Sequence, residues 1–261
     1  MSRAALLTGL ALVVAGLAGC TFGAGPATPW PTWPVSAEPL PAATTGSAVA
    51  TVTCGGRTFP AAGLSASTGA EHGSGPAFDA LRAALVTFGP EFKGSETWTW
   101  RLAGLDAAGA IFLAQTDALG PPGWVSIEVK AGTPAWTPDG MGQCDPHVVL
   151  SADYGPASWA LDPAFGTPSA GATELHLLVW ELACSNGLPA TGRISAPVVL
   201  YGPATVTVTL GVRPIVPPDG TAVTCPGPPG TPATMPLAEP LGGRTLLDGG
   251  LVPPAPPSAA F

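Results

Sequence analysis

Cysteines are the residues of this 261-residue chain whose chemistry and spacing say most about it. Four of the five lie far apart in the sequence, at Cys54, Cys144, Cys184 and Cys225. None of them has the short spacing of a zinc site or of a redox-active CxxC motif. An even number of widely separated cysteines is typical of disulfides in an exported protein. We therefore expect these four residues to cross-link the chain through two bridges.

The fifth cysteine, Cys20, follows a segment with the features of an export signal. A basic start containing Arg3 precedes an apolar run over 4–17, which is too short to span a bilayer. The sequence Leu17-Ala18-Gly19-Cys20 resembles the lipobox of bacterial lipoproteins. That resemblance implies that residues 1–19 are removed, that the Cys20 thiol is diacylglycerated, and that the protein is anchored to the cell membrane by lipid.

Export places the folded part of the chain outside the cytoplasm, where disulfides persist. Three pairings of the four remaining cysteines are possible. The pairing of Cys54 with Cys144 and of Cys184 with Cys225 is favoured, because each bridge then lies within one predicted domain. The expected location is therefore extracytoplasmic, with a lipid anchor at Cys20.

The charge of the chain limits its partners. Seventeen Asp and Glu residues outnumber nine Lys and Arg residues, giving a net charge of −8. Nucleic-acid binding needs a basic face, so this class of partner is excluded. Anionic lipid is not attracted either, so membrane attachment depends on the acyl chains. The remaining partners are the membrane, through the anchor, and an envelope glycan, peptide or protein.

Catalytic and metal-binding patterns are scarce. The three histidines, His72, His147 and His176, lie outside the G-x-S-x-G, S-x-x-K and H-E-x-x-H motifs. We interpret His176 as a structural residue within a strand and His147 as a loop residue beside a disulfide. His72 could act as a base only if a nucleophile came near it. The acidic segment 139–145 lacks the spacing of a calcium loop. No catalytic residue, metal site or cofactor is predicted.

Three tryptophans form a possible binding surface. Trp98 and Trp100 alternate on one face of a predicted strand, and Trp124 begins another strand nearby. If the rings are exposed, they could stack on sugars or peptides. If they are buried, they form the core of a small domain, and this second interpretation is favoured.

Residues 48–150 have the pattern of a small α+β domain. Pro76 suits the first position of a helix, and Gly89-Pro90 suits its end. The apolar residues Phe78, Leu81, Leu85 and Phe88 recur at spacings that place them on one helix face. Alternating residues predict strands over Ala48–Cys54, Thr97–Leu102, Gly109–Thr116 and Trp124–Lys130. We expect the helix to lie across one face of an antiparallel sheet.

Residues 173–253 predict a small all-β, sandwich-like domain, so that the chain is predominantly β overall. Residues 20–47 are proline-rich and predict a disordered linker, and residues 254–261 predict a Pro/Ala-rich tail. Residues 151–172 predict a connection between the domains, although the turn around Trp159 could instead be a strand of either one. The strands expected in the second domain are Glu174–Cys184, Gly192–Tyr201, Ala204–Pro214, Thr221–Cys225 and Thr234–Leu237.

The C-terminal segment also carries a resemblance of its own. The pattern AC-SNG, GRI-AP, VTVTLGVRP, TCPGPPGTP and LAEPLGGRTLLDGG resembles a block in uncharacterised exported or lipid-anchored proteins of actinomycete-type bacteria. It implies export and a bridge between Cys184 and Cys225, and it implies no activity. The expected function is a lipid-anchored binding or interaction module of the cell envelope. An envelope hydrolase or glycan-modifying enzyme, and a sensor or inhibitor-like domain, are the alternatives.

Overall fold

The computed structural model of the protein describes residues 51–65, 73–117, 123–151, 153–218 and 221–259. The predicted signal peptide, Cys20 and proline-rich linker lie outside these residues, and so does His72. Within the described ranges the helix is α1 (Pro76–Phe88). The strands are β1 (Thr51–Cys54), β2 (Arg57–Pro60), β3 (Arg101–Asp106), β4 (Gly109–Gln115), β5 (Trp124–Lys130), β6 (Thr137–Gln143), β7 (His147–Val148), β8 (Gly155–Leu161), β9 (Glu174–Glu181), β10 (Val198–Tyr201), β11 (Thr205–Thr209), β12 (Gly211–Val212), β13 (Thr231–Pro236) and β14 (Thr245–Asp248).

The helix packs on an antiparallel sheet of order β3-β4-β5-β6, which confirms the predicted fold of the first region. Pro76 is its first residue and Gly89 follows its last, as the sequence predicts. The buried face consists of Leu81 and three alanines, whereas the predicted Phe78, Leu85 and Phe88 lie at its margin. The alanines are Ala77, Ala80 and Ala84.

The same sheet is covered on its opposite face by the smaller sheet β2-β1-β7. Strand β4 shows this arrangement, because it is buried at six consecutive positions. Its residues Ala110, Phe112 and Ala114 contact the helix side, whereas Ile111 and Leu113 belong to the core beneath β1. A strand covered on both faces does not alternate in polarity.

Two further sheets, β12-β8-β9-β13 and β10-β11-β14, enclose a single core in the C-terminal half, residues 153–259. The prediction of a sandwich-like, all-β second region is therefore confirmed. Val206, Val208, Leu210 and Val212 are at most 1% exposed and face this core, as their alternation predicts. The pairs are antiparallel except for β11 and β14, which run parallel.

Several boundaries differ from the prediction for physical reasons. Strand β8 lies within residues 151–172, expected as a connection, and it carries the fully buried Trp159. Residues 221–225 form no strand, because Thr224 bonds to Asn186 instead of joining a sheet. The short strand β14 falls in a Gly-flanked segment that the polarity pattern did not mark.

Both disulfides have the pairing favoured from the sequence. Cys54 pairs with Cys144 and Cys184 with Cys225, with Cα–Cα distances of 5.7 and 4.4 Å. Two such bridges indicate an oxidising, extracytoplasmic environment. Among the described residues, no helix combines the length and apolarity needed to cross a membrane.

The N-terminal half, residues 51–151, joins the C-terminal half through backbone hydrogen bonds at β7. The Val148 amide donates to the Gly250 carbonyl at 2.8 Å, and the Val252 amide donates to the Pro146 carbonyl at 2.9 Å. His147 forms an isolated bridge with Leu251 between these two bonds. The side chains of the candidate functional site lie at this junction.

Candidate functional site: a cleft between the two halves

Two adjoining cavities, of about 400 and 280 Å³, lie where the halves meet, and both are lined by Asp145, His147 and Leu182. The larger extends along the Cys54–Cys144 disulfide to the turn that connects β1 and β2. The smaller extends to Asp248 and residues 255–259. We refer to the two together as the seam cleft. Ligand sites are frequent in such positions between packed units.

The backbone on both sides of His147 is fixed by neighbouring elements. Cys144, three residues earlier, is tied to Cys54 at the end of β1. His147 itself pairs with Thr53 on β1 and bridges to Leu251 in the other half. Asp145 and His147 are therefore held by a disulfide, by a strand pair and by the junction of the halves.

His147 is buried in the cleft wall, with 8% of its surface exposed. Its Nδ1–H donates to the backbone carbonyl of Asp145 at 2.5 Å. This bond leaves Nε2 as the acceptor nitrogen, and no described residue donates to it. Burial lowers the pKa of His147, and the Asp145 carbonyl and carboxylate oppose that shift in part. The imidazole is consequently neutral at pH 7.

Asp145 supplies a second acceptor without a partner. Its Oδ1 is inaccessible to solvent and receives no hydrogen bond from the described residues. A buried polar atom left unpaired costs about 1–3 kcal/mol. The carboxylate thus has a hydrogen-bonding capacity that the described protein groups leave unused.

Asp248 is the third polar group of the cleft and is 2% exposed. Burial raises its pKa to about 7, against the opposing effects of the Gly250 amide and the Trp159 side chain. The Gly250 amide donates to Asp248 Oδ1 at 2.8 Å. Near neutral pH this carboxyl group therefore exchanges between its protonated and ionised forms.

The C-terminal residues 252–259, which we call the C-terminal strap, form one wall of the smaller cavity. The Asp248 amide donates to the Ala255 carbonyl at 2.7 Å, and the Ser258 amide donates to the Trp159 carbonyl at 3.1 Å. The hydroxyl groups of Ser258 and Ser158 are 2.9 Å apart. Up to residue 259, the predicted tail therefore packs against the sandwich and shapes the cleft.

The side chains that line the seam cleft include no Lys or Arg. The polar ones are two carboxyl groups, one neutral imidazole, two serine hydroxyls that bond to each other, and, in the larger cavity, the Thr53 hydroxyl and the Gln143 amide. None of the described hydroxyls bonds to His147, so the described residues form no hydrogen-bonded nucleophile–base pair at this cleft. Arginines of the surrounding segments are held elsewhere: Arg57 by Glu128, Arg193 by Glu181, and Arg213 by Tyr154.

Comparisons with protein-family models, with curated proteins and with solved structures found no match. The site is therefore assigned from its own geometry.

Two of the three tryptophans of the possible binding surface are buried. Trp100 is 0% and Trp124 is 3% exposed, so their rings are covered and cannot stack on a ligand. The Trp100 indole donates to the Ser95 carbonyl at 3.0 Å, and the Arg101 guanidinium lies 5.5 Å from the Trp124 ring centre. Trp98 is partly buried and packs against Trp100 at 6.2 Å. Trp100 and Trp124 belong to the cores on the two faces of the sheet, and Trp98 packs against the first of these cores.

His176 lines a separate cavity of about 400 Å³ beside residues 165–174. Its ring stacks on Phe165 at a centroid distance of 3.7 Å. Its Nδ1 lies 3.2 Å from the Thr234 hydroxyl and its Nε2 lies 3.3 Å from the Glu174 carboxylate. These contacts fix the imidazole in the way predicted for a structural histidine.

The part of the chain that the structure describes contains no group of three or more His, Cys, Asp or Glu residues placed to hold a metal ion. The cleft residues Asp145, His147 and Asp248 were not selected from the sequence. One usable indication was the Asp-Pro-His sequence directly after Cys144, which puts a carboxylate and an imidazole beside a predicted crosslink. Nothing in the local sequence connects Asp248 with them.

Proposed function

We propose that the protein is a lipid-anchored, extracytoplasmic binding module whose ligand occupies the seam cleft. The lipobox-like sequence before Cys20 supports the anchor, and the two disulfides fit an exported protein. The proline-rich residues 20–47 suit a spacer between the anchor and the folded part. The C-terminal resemblance to exported actinomycete-type proteins agrees with this location.

The observation that carries the binding proposal is the pair of unpartnered acceptors in the cleft. Asp145 and His147 line both cavities, and neither Asp145 Oδ1 nor His147 Nε2 receives a hydrogen bond from described residues. Native proteins satisfy most buried polar groups, so exceptions call for an explanation. Perturbed titratable groups in a cleft, here His147 and Asp248, are typical of functional sites. A ligand that donates hydrogen bonds would complement the Asp145 carboxylate and the His147 imidazole.

The anchor is tested by lipid labelling of the full chain in a bacterial host. Cells are fed an alkyne-tagged fatty acid, and the label and the membrane fraction are followed for wild type and Cys20→Ser. We expect the variant to lose the label and to leave the membrane fraction, whereas the neighbouring control Thr21→Ala retains both. Equal labelling of the Cys20→Ser protein would overturn the proposed anchor.

The cleft is tested by filling it. Leu182 lines both cavities and is 47% exposed, so Leu182→Trp reduces their volume. Leu188→Trp is the matched control, because Leu188 is 52% exposed and does not line the cleft. In a thermal-shift panel of amines, sugars and peptides, we expect a ligand that stabilises wild type and the control but not Leu182→Trp. A panel in which no ligand distinguishes the two variants would refute the cleft as the binding site.

A further inference from the structure

We infer that the seam cleft selects a ligand bearing a primary ammonium group, an inference that rests on the proposed binding function of this cleft. Three side chains of its lining carry the argument: Asp145, His147 and Asp248. Asp145 and His147 line both cavities, and Asp248 lines the smaller one.

The hydrogen-bonding character of the lining points to a donor. Oδ1 of Asp145 is buried without a partner among the described residues, and the 8% exposed His147 has its Nδ1–H committed to a backbone carbonyl. In the smaller cavity the two serine hydroxyls are bonded to each other, and the neutral donors of the larger cavity are the Thr53 hydroxyl and the Gln143 amide. An ammonium group carries three donors and no acceptor, so it complements such a lining. A neutral hydroxyl is a poorer complement, because it also brings an acceptor that needs a donor.

The charge of the lining points to a cation. Two carboxyl groups face the cleft, none of its lining residues is Lys or Arg, and the chain as a whole carries a net charge of −8. The arginines of the surrounding segments are each bound to another side chain, as described above. A cleft lined by one sign of charge concentrates ions of the opposite sign. An anionic ligand would meet unpaired carboxylates and is disfavoured.

A metal ion fits this lining less well than an organic cation. Calcium takes six to eight oxygen ligands. Zinc sites use three or four closely placed side chains. Among the described residues no cluster of three such side chains lies close enough together. An ammonium group can bind to one carboxylate and one neutral acceptor, such as Asp145 and His147, and the Leu182 and proline surfaces of the cleft can cover its alkyl chain.

The experiment compares matched ligands by isothermal titration of the folded, oxidised protein at pH 8. The probes are 1,5-diaminopentane as a free amine, Nα-acetyl-lysine-methylamide as a peptide-borne amine, and 1,5-pentanediol as their neutral counterpart. We expect one of the amines to bind at least about tenfold more tightly than the diol, because hydrogen bonds to charged groups are stronger than neutral ones. Which of the two amines binds more tightly distinguishes a free amine from a basic peptide.

Two variants locate the effect. Asp145→Asn removes the carboxylate charge and should weaken amine binding at least about tenfold. Asp117→Asn makes the same charge change at an exposed position outside the cleft and should leave the affinity unchanged. A further measurement needs no variant: in NMR spectra of the wild-type protein, the ring proton signals of His147 should shift when the amine is added.

The titratable groups that line the cleft give a second signature. Between pH 8 and pH 5, the Asp248 carboxyl group, whose pKa burial raises to about 7, loses its charge, while the ligand amine stays protonated. Amine affinity should therefore fall at least about tenfold over this range.

The outcomes separate this inference from the proposed function. If the diol binds as tightly as both amines and Leu182→Trp abolishes that binding, the cleft is a binding site and the ammonium inference is wrong. The inference is also wrong if Asp145→Asn binds the amine as tightly as wild type does. If no probe binds in a manner sensitive to Leu182→Trp, the inference and the binding proposal both fail.

Discussion

Nη1 of Arg193 lies 2.6 Å from Oε2 of Glu181, a carboxylate whose side chain is only 2% exposed at the end of β9. The same guanidinium donates to the carbonyls of Pro189 and Arg213. Arg193 thereby connects the end of β9 with Pro189, which follows Cys184, and with Arg213, which follows β12. The other oxygen of Glu181 has no partner among the described residues, so Arg193 is the cation that balances this buried negative charge.

Replacing Arg193 with alanine should therefore be costly. Breaking a buried ion pair leaves an uncompensated charge, and we expect a loss of about 3–5 kcal/mol in the free energy of unfolding. Urea denaturation followed by circular dichroism measures it. The control is Arg82→Ala, which breaks the exposed pair with Asp79 and should cost at most about 1 kcal/mol. Similar losses in both variants would show that Glu181 does not depend on Arg193.

Asp248 should make stability decrease as pH rises. Its pKa is raised by burial from 3.8 to about 7, so the folded protein keeps a proton that the unfolded chain releases. The stabilisation is fully present below pH 3.8 and is lost as pH rises to about 7, and it amounts to about 4 kcal/mol from the size of the shift. The difference in unfolding free energy between wild type and Asp248→Asn, measured from pH 4 to pH 8.5, isolates this contribution.

Asparagine keeps the oxygen that accepts from the Gly250 amide, so the variant tests charge and not the hydrogen bond. Relative to wild type, Asp248→Asn should gain stability progressively up to about pH 7 and stay constant above it. A difference that is constant over the whole range would show that Asp248 titrates normally in the folded state.

Local patterns predicted those elements whose burial follows a simple period. Pro76 and Gly89 delimit α1. The alternation of Val206, Val208 and Leu210 correctly predicts which side chains of β11, and of the residue after it, face the core. These features could be predicted because one face contacts the core and the other contacts solvent. The disulfide pairing followed from the same division into two regions.

The seam cleft could not be predicted in this way. Asp145 and Asp248 are brought to one cavity by the bridge between His147 and Leu251, a contact between residues about a hundred positions apart. Likewise, Trp159 is buried in the core between the two C-terminal sheets, and its carbonyl accepts a hydrogen bond from the Ser258 amide. The Pro- and Gly-rich sequence around Trp159 does not reveal either contact. Long-range contacts determine both features, and short-range periodicity contains no information about them.

Removing the disulfides should destabilise the protein by different amounts. In the chain-entropy model, a loop of 90 residues gives about 4–5 kcal/mol for Cys54–Cys144, and one of 41 residues gives about 4 kcal/mol for Cys184–Cys225. Replacing both cysteines of the first pair with alanine should cost more still, because both side chains are buried. Urea denaturation of the two double variants measures the losses. Four thiols accessible to alkylation in the native protein would contradict the presence of either bridge.

Trp100 and Trp98 should differ in what they contribute. Trp100 is 0% exposed and bonds to the Ser95 carbonyl, so Trp100→Ala should cost about 3–5 kcal/mol of unfolding free energy. Trp98 is only partly buried against Phe92 and Trp100, and we expect Trp98→Ala to cost less than half as much. Urea denaturation monitored by circular dichroism compares them without relying on tryptophan fluorescence.

Trp98→Ala should not affect ligand binding, because neither tryptophan ring lines the seam cleft. Folded Trp98→Ala should therefore bind a ligand as wild type does. A selective loss of sugar or peptide binding in this variant would instead support a second binding surface at Trp98.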